Sequence, residues 1–337
     1  MKGTGNVLTD RFGRPHDYLR VSVTDKCSLR CTYCMPEEGL AFFPDEAILS
    51  KEEIVTLVQH FSQLGITKVR LTGGEPLLRK DILEIISAIV ALPKISDLSL
   101  TTNGLALQKL ARPLKEAGVN RLNISLDTFD QERYRQVTRG GNLNRVLKGL
   151  ETALRVGFDQ IKLNVVVIQG QNDHELLDFL RFTFDNEVTV RFIEYMPIGG
   201  NTRTSWQEGY RGVDQVFALC EENGWLVEPV SIDGNGPAKN YRIKGAQGRF
   251  GLIHPISCQF CASCNRLRVT ADGYLKACLF WEDEVYLRSV IKDFALFENK
   301  VKQALMLKPE NHEMALDQPE STFSEKPTWR HMSQIGG

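Results

Sequence analysis

From Asp17 to Met196 the chain alternates short β-branched runs with longer amphipathic segments, and this rhythm constrains the fold more than any other feature. Six strands are predicted, at Leu19 to Thr24, Lys68 to Thr72, Asp97 to Thr101, Arg121 to Ser125, Lys162 to Ile168 and Val188 to Glu194. Between the first two, Ile54, Leu57, Val58, Phe61 and Leu64 recur at helical spacing behind a capping box of Ser50 and Glu53. Further helices are predicted over Lys80 to Ala91, Leu105 to Ala117, Leu143 to Val156 and Asp173 to Phe184, the last capped by Asn172. Parallel strands joined by covering helices close most simply into a barrel whose site lies at the carboxyl ends of the strands. Six units make that barrel an incomplete (β/α)6 one. Breaks at Gly199, Gly200, Asn201 and Thr202, and from Asp233 to Pro237, read as linkers around a helix at Val213 to Asn223. The expected division is a barrel with linker over 1–239 and a smaller α+β domain over 240–337. That domain carries a helix near Glu284 to Leu305, and a Pro-, Glu- and Ser-rich stretch after it reads as loose up to the terminal Gly336 and Gly337.

The charges balance, 41 basic against 42 acidic residues in 337, so no global field recruits nucleic acid or anionic membrane, and any anionic substrate must be met by local arginines. No apolar run approaches the roughly 18 residues of a membrane span, and the amino terminus lacks a signal-peptide core. A cytoplasmic protein is expected. Most of the eight cysteines fall in two tight groups, which argues for metal ligation rather than a disulfide framework.

Cys27, Cys31 and Cys34 form C-x3-C-x2-C directly after the first strand. Three soft ligands around one pocket suit an iron–sulfur cluster with one iron left free of protein. A zinc site is the alternative, but it wants a fourth Cys or His at comparable spacing. One βα unit later comes Leu71-Thr-Gly-Gly-Glu-Pro76, in which Gly73 and Gly74 let backbone approach a ligand and Glu75 offers an acceptor to its ammonium; a plain turn is the alternative. Tyr33, between two cysteines, offers a ring to adenine or simply packs, and Ser125 ends the fourth strand. Cys261, Cys264 and Cys278 form C-x2-C-x13-C, with Cys258 three residues upstream. Arg266 and Arg268 flank Leu267 on one side of a predicted strand. Their guanidinium forks match phosphate oxygens, although a solvated surface strand gives the same pattern. Lys68 and Arg191 are weaker candidates, equally readable as surface charges, and Cys220 sits in the apolar pattern of a helix.

The segment Cys27-Ser-Leu-Arg-Cys-Thr-Tyr-Cys34, followed by the Gly-Gly-Glu-Pro loop, resembles the radical S-adenosylmethionine (SAM) superfamily, in which that loop contacts the methionine part of the cofactor. Adding Phe260-Cys-x2-Cys-Asn-Arg-Leu-Arg268, Cys278 and the terminal Gly336-Gly337, the chain resembles over nearly its whole length the GTP 3′,8-cyclase family of molybdenum cofactor biosynthesis. The resemblance implies a radical SAM barrel and two [4Fe-4S] clusters, one on each cysteine triplet, with the second cluster's free iron binding guanine. It implies SAM contacts at Tyr33, Gly74, Ser125 and Met196. GTP contacts are implied at Arg20, Arg70, Thr101, Lys162 and the stretch Arg266, Leu267, Arg268. Arg20 and Lys162, inside strands, are hard to explain as solvated charges, but a barrel interior accepts them if they meet a triphosphate.

The implied reaction is that of a lyase, in which a 5′-deoxyadenosyl radical takes hydrogen from the ribose 3′ carbon of GTP and the ribose radical attacks carbon 8 of guanine. The implied partners are a reducing electron donor and a downstream cyclic pyranopterin monophosphate synthase that receives the product, with a homodimer as a further expectation and neither nucleic acid nor membrane. Gly336 and Gly337 are implied to insert toward the substrate, where a disordered chain end is the ordinary alternative. Cys258 has no place in the family pattern; as a fourth ligand it would close the second cluster, and a bystander thiol is favoured. The rivals are a peptide-modifying radical SAM enzyme with an auxiliary cluster, and a zinc-binding module.

Overall fold

Ser50 and Glu53 form the expected capping box, with the Ser50 hydroxyl accepting from the Glu53 amide at 3.2 Å and the Glu53 carboxylate accepting from the Ser50 amide at 2.8 Å. The computed structural model describes residues 7–196, 198, 203–231, 236–312 and 328–336. Six βα units follow one another: β1 (Tyr18–Ser22), α1 (Lys51–Gln63), β2 (Lys68–Thr72), α2 (Ile82–Val90), β3 (Asp97–Thr102), α3 (Leu107–Glu116), β4 (Arg121–Ser125), α4 (Gln131–Thr138), α5 (Leu143–Val156), β5 (Gln160–Val167), α6 (Leu176–Asp185) and β6 (Thr189–Glu194). Neighbouring strands of β1 to β6 all pair in parallel. Leu19, Val21, Val69, Leu71, Leu98, Leu100, Leu122 and Ile124 are fully buried in one core, while the residues between them, Arg20, Arg70, Thr101 and Ser125 among them, line the concave face.

The rest of the chain comprises α7 (Arg203–Gly209), α8 (Gln215–Glu222), β7 (Val227–Pro229), β8 (Lys239–Ile243), β9 (Arg249–Ile253), β10 (Arg266–Val269), β11 (Tyr274–Lys276), β12 (Val285–Tyr286), α9 (Phe294–Met306) and α10 (Met332–Ile335). One sheet runs β12-β11-β10-β1-β2-β3-β4-β5-β6-β9-β8-β7. The carboxyl-terminal strands therefore extend both edges of the barrel, β10 parallel to β1 and β9 parallel to β6. Position 240 falls inside β8.

Several local expectations are corrected. Asn172 does not cap α6, which begins after Glu175; its side chain instead accepts from the Ile168 amide and donates to the Asp127 and Val166 carbonyls, each at 2.8 Å, pinning the loop after β5. Helix α4 was not foreseen, because Gln131–Thr138 is polar over most of its length. The helix expected from Glu284 starts later: Val285–Tyr286 is an edge strand, and Asp293 caps α9 by accepting from the Leu296 amide at 3.0 Å. The linker residues 199–202 and 233–235 lie outside the described residues.

Residues 328–336, in the stretch expected to be loose, are built into the fold. Arg330, only 2% exposed, donates to both oxygens of Glu284 at 2.8 Å and to both of Asp272 at 3.0 and 3.2 Å. Thr328 N donates to the Phe280 carbonyl at 2.6 Å, and Ile335 packs with Tyr195, Trp206 and Phe280. Removing one partner of a buried ionic network leaves uncompensated charge. Arg330→Ala is therefore expected to lower stability by about 3 kcal/mol and to speed amide exchange at Ile335 and Gly336; unchanged exchange there would show that the tail is held by its apolar contacts alone.

Candidate functional site

The loop bearing Cys27, Cys31 and Cys34 leaves the carboxyl end of β1 and is fastened from two sides. On one side Gly74 N donates to Thr24 O and Glu75 N to Lys26 O, both at 2.8 Å. A Cβ on Gly73, whose φ is +147°, would stand 2.2 Å from Thr24 O, and one on Gly74 would stand 2.3 Å from Lys26 O. The glycines are thus needed for backbone to approach the cysteine loop, a reason additional to any ligand contact. On the other side the end of α4 takes the Arg30 amide on Thr138 O at 3.2 Å and the Thr32 amide on Val137 O at 2.9 Å.

Glu75 already carries structural bonds, with room left on Oε2 for one more donor. Its carboxylate accepts from the Thr102 hydroxyl, the Asn103 amide and the Leu77 amide at 2.8, 2.7 and 3.0 Å. Burial lifts it to about 7, against those three donors. Tyr33 donates to Asp127 Oδ2 at 2.7 Å, and Asp127 Oδ1 accepts from the Val166 amide at 2.9 Å, so the ring is referenced to the barrel wall. Asp127 was not anticipated, because nothing local in the sequence marks this acid, two residues past Ser125, as buried.

Both triplets open on one cavity of about 340 Å³, whose wall also includes Arg20, Arg70, Arg191, Arg266, Arg268, Thr101, Ser125, Gly74, Tyr33 and Met196. Cys258 is exposed, with its sulfur 3.6 Å from Lys239 Nζ, and is absent from that wall. Leu267 is fully buried in the apolar core, so its side chain faces away from the cavity. Lys68 pairs with Asp17 at 3.2 Å, also away from it. Cys220 is buried packing. Gly336 reaches the cavity region: its carbonyl accepts from Arg268 Nη1 at 2.6 Å, and a Cβ there would stand 2.6 Å from Thr72 Cγ2. Gly337 lies outside the described residues.

The register makes the site's electrostatics plain. Arg268 is paired with Arg20, and Arg20 with Arg70, so three guanidinium groups stand side by side across β10, β1 and β2. Like charges directly opposite one another oppose strand pairing unless an anion lies between them. Burial first, then the other arginines, lowers Arg20 well below its ordinary value and brings Arg268 to about 10. Burial likewise brings Arg191 to about 9 and Lys162, beside Arg191, Arg121 and Arg70, to about 6. Lys162 is 3% exposed and lies just behind the wall rather than on it. The Nε atoms of Arg20 and Arg191, the Thr101 hydroxyl and Asn164 Oδ1 are buried without a hydrogen-bond partner. Asn164 was missed, although it follows Lys162 at the two-residue spacing of one strand face.

Among the described residues no three His, Cys, Asp or Glu side chains converge as they would on a single ion; each triplet offers three thiols to the cavity, the ligand type that iron–sulfur clusters take. Without iron, burial raises the thiols of Cys27 and Cys31, Cys34 to about 12 and Cys261 to about 11. For Cys264 burial also acts upward, but Arg266 and Lys308 together bring it down to about 6. Cluster ligation needs the thiolate form, which the positive charge of iron would stabilise.

Residues 21–183 match the radical SAM superfamily, and residues 188–314 match the family described as Molybdenum Cofactor Synthesis C. Proteins described as GTP 3′,8-cyclase in Lactiplantibacillus plantarum and Listeria monocytogenes are 56% and 57% identical, over 98% of this chain and 99% of theirs. The chain belongs to the GTP 3′,8-cyclase family. A more distant relative of the same description, from Petrotoga mobilis, is 42% identical over 98% of this chain and all of its own. In fold, this member of the family is similar to Streptococcus suis SuiB bound to S-adenosylmethionine, with TM-score 0.59 and 16% identity over 88% of this chain and 68% of that one. It is also similar to anSMEcpe with bound AdoMet, with TM-score 0.53 and 16% identity over 88% and 82% of the two chains.

With its pKa near 6, Lys162 is largely neutral in the empty site at pH 8. A polyanion favours the ammonium, so binding is expected to take up close to a full proton there and to weaken as pH rises. Calorimetry with inorganic tripolyphosphate in buffers of different ionisation enthalpy measures the uptake, which Lys162→Met should abolish.

Proposed function

We propose that the chain converts GTP to (8S)-3′,8-cyclo-7,8-dihydroguanosine 5′-triphosphate, with the cofactor at one end of the cavity and guanine at the other. The observation that carries this reading is the Arg268–Arg20–Arg70 row, which lies in a cavity walled by both cysteine triplets. Cys27, Cys31 and Cys34 would hold the first [4Fe-4S] cluster, which with bound SAM supplies an electron and a carbon radical able to take hydrogen from ribose. Tyr33, Gly74, Ser125 and Met196 would position SAM. Arg20, Arg70 and Arg268, with Lys162 behind them and Thr101 beside them, would bind the triphosphate by charge-assisted hydrogen bonds. Arg191 and Asn164 join this set, since their unpartnered buried atoms call for a polar ligand.

Cys261, Cys264 and Cys278 would hold the second [4Fe-4S] cluster and leave an iron for guanine, with exposed Cys258 as a bystander. Gly336 and Gly337 would complete the pocket, where close approach to Thr72 leaves no room for a side chain at Gly336. An electron donor, passage of product to a cyclic pyranopterin monophosphate synthase and a cytoplasmic setting complete the reading. No described helix is long and apolar enough to cross a membrane. A peptide substrate, the rival radical SAM reading, would match the arginine row only through carboxylates of its own, whereas a triphosphate brings the counter-charge with it.

Anaerobic incubation with dithionite, SAM and each nucleoside triphosphate should yield the cyclised product from GTP alone. Replacing Cys27, Cys31 or Cys34 by Ala should abolish 5′-deoxyadenosine formation; full cofactor cleavage in any of the three would remove the first-cluster assignment. Cys258→Ser should keep the second cluster's iron where Cys261→Ser loses it, and equal loss would redraw the ligand set. Deleting Gly336 and Gly337 should leave iron content and GTP binding intact while lowering product formation at least tenfold, because the groups must be held in reactive geometry; a truncated enzyme at the full-length rate would show the tail to be dispensable.

A further inference from the structure

Two cations approach one sulfur of the second cysteine triplet: Lys308 Nζ lies 3.7 Å from Cys264 Sγ and Arg266 Nη2 lies 3.6 Å from it. Lys308 is 2% exposed, and its Nζ also donates to Ala277 O at 2.5 Å and Arg266 O at 3.1 Å. Three acceptors match the three N–H bonds of an ammonium; burial lowers the proton affinity of this lysine below the ordinary value, while Cys264 and Cys278 oppose that shift.

The lysine is held firmly. It follows α9, and the next two residues are gripped by Arg14, whose guanidinium donates to Pro309 O at 2.7 Å and to Glu310 O at 2.9 Å. The same guanidinium donates to Cys261 O at 2.9 Å, and Asp10 anchors it at Nε at 2.6 Å. Arg14 and Lys308 thus tie the 308–310 segment to the backbone beside all three cysteines, since Ala277 directly precedes Cys278. A charge held this way cannot swing into solvent, and in a buried setting it acts at low effective dielectric.

We propose that Lys308 is a positioning residue that sets the reduction potential of the second cluster. A cluster gains negative charge on reduction, so a fixed ammonium against a ligand sulfur stabilises the reduced state. The inference rests on the two-cluster reading above.

The test uses the full chain with Cys27, Cys31 and Cys34 all changed to Ala, anaerobically reconstituted so that only the second triplet can hold a cluster. Iron content and an EPR-monitored redox titration are compared for this parent and for versions carrying Lys308→Gln or Lys308→Arg. Lys308→Gln is expected to keep its iron but to shift the oxidised-to-reduced ratio at a given ambient potential at least tenfold toward the oxidised form, a fall of about 59 mV for one electron. Lys308→Arg, which keeps the charge, should recover most of the shift. In the parent, lysine labelled with nitrogen-15 should give an electron–nuclear coupling to the reduced cluster, a readout independent of whether the Gln variant assembles. An unshifted titration in an iron-replete Lys308→Gln protein, or no lysine coupling in the parent, overturns the proposal. A parent that binds no iron overturns the two-cluster reading itself, which a bound cluster indifferent to Lys308 would leave standing.

Discussion

Mutual repulsion among the inward cations is the constraint around which the rest of this structure is organised. Arg268, Arg20 and Arg70 occupy adjacent register positions on three parallel strands, with Lys162 and Arg191 buried across the cavity. No arrangement of that kind stabilises a fold by itself. It persists because the opposite faces of the same strands bury Leu19, Val21, Val69 and Leu71 completely, so the apolar core outside the barrel carries the strain inside it. The depressed affinities of these cations for protons, with Lys162 near 6, are the signature of a site built for a charge that arrives with the ligand.

The cysteine loop after β1 depends on a second constraint, close approach of backbone. Gly73 and Gly74 lie against Thr24 and Lys26 so tightly that no side chain fits, and α4 holds the loop from the opposite side. A signature often regarded as a cofactor contact is therefore also a clamp on the ligand-bearing loop. Glu75 belongs to the clamp, since its carboxylate accepts from Thr102, Asn103 and Leu77.

Much of this was legible in the residues. Strand and helix rhythm placed β1 to β6 because each strand's outward positions are aliphatic and each covering helix has a regular apolar stripe. The two cysteine triplets were legible from their spacing, whereas Arg20, Arg70 and Thr101 were pointed to by the family resemblance; alternation within a strand explains why these three and Ser125 line the cavity. The same alternation turns Leu267, which the family resemblance groups with the GTP contacts, into the core while Arg266 and Arg268 line the cavity. What was not legible depends on long-range pairing: nothing local says that β10 docks beside β1 and brings Arg268 next to Arg20. Asp127 and Asn172 look like ordinary loop polars until their partners on distant elements are known. The tail misled for the same reason, because one arginine, Arg330, outweighs a local composition that favours looseness.

The addition of β9 and β10 to opposite edges of the barrel sheet has a consequence for how the chain comes to be folded. Strands β1 to β6 are complete by residue 194, yet β6 finds its neighbour only at residues 249–253 and β1 only at 266–269. During synthesis the half-finished barrel therefore presents two bare strand edges, with unpaired amides and carbonyls of the kind that recruit other chains. The interval ends only when a segment bearing the second set of cysteines arrives and covers both. Covering of both barrel edges and delivery of the second cysteine triplet thus depend on one stretch of chain, residues 249–278, and the hazard of the open edges lasts as long as that segment is delayed.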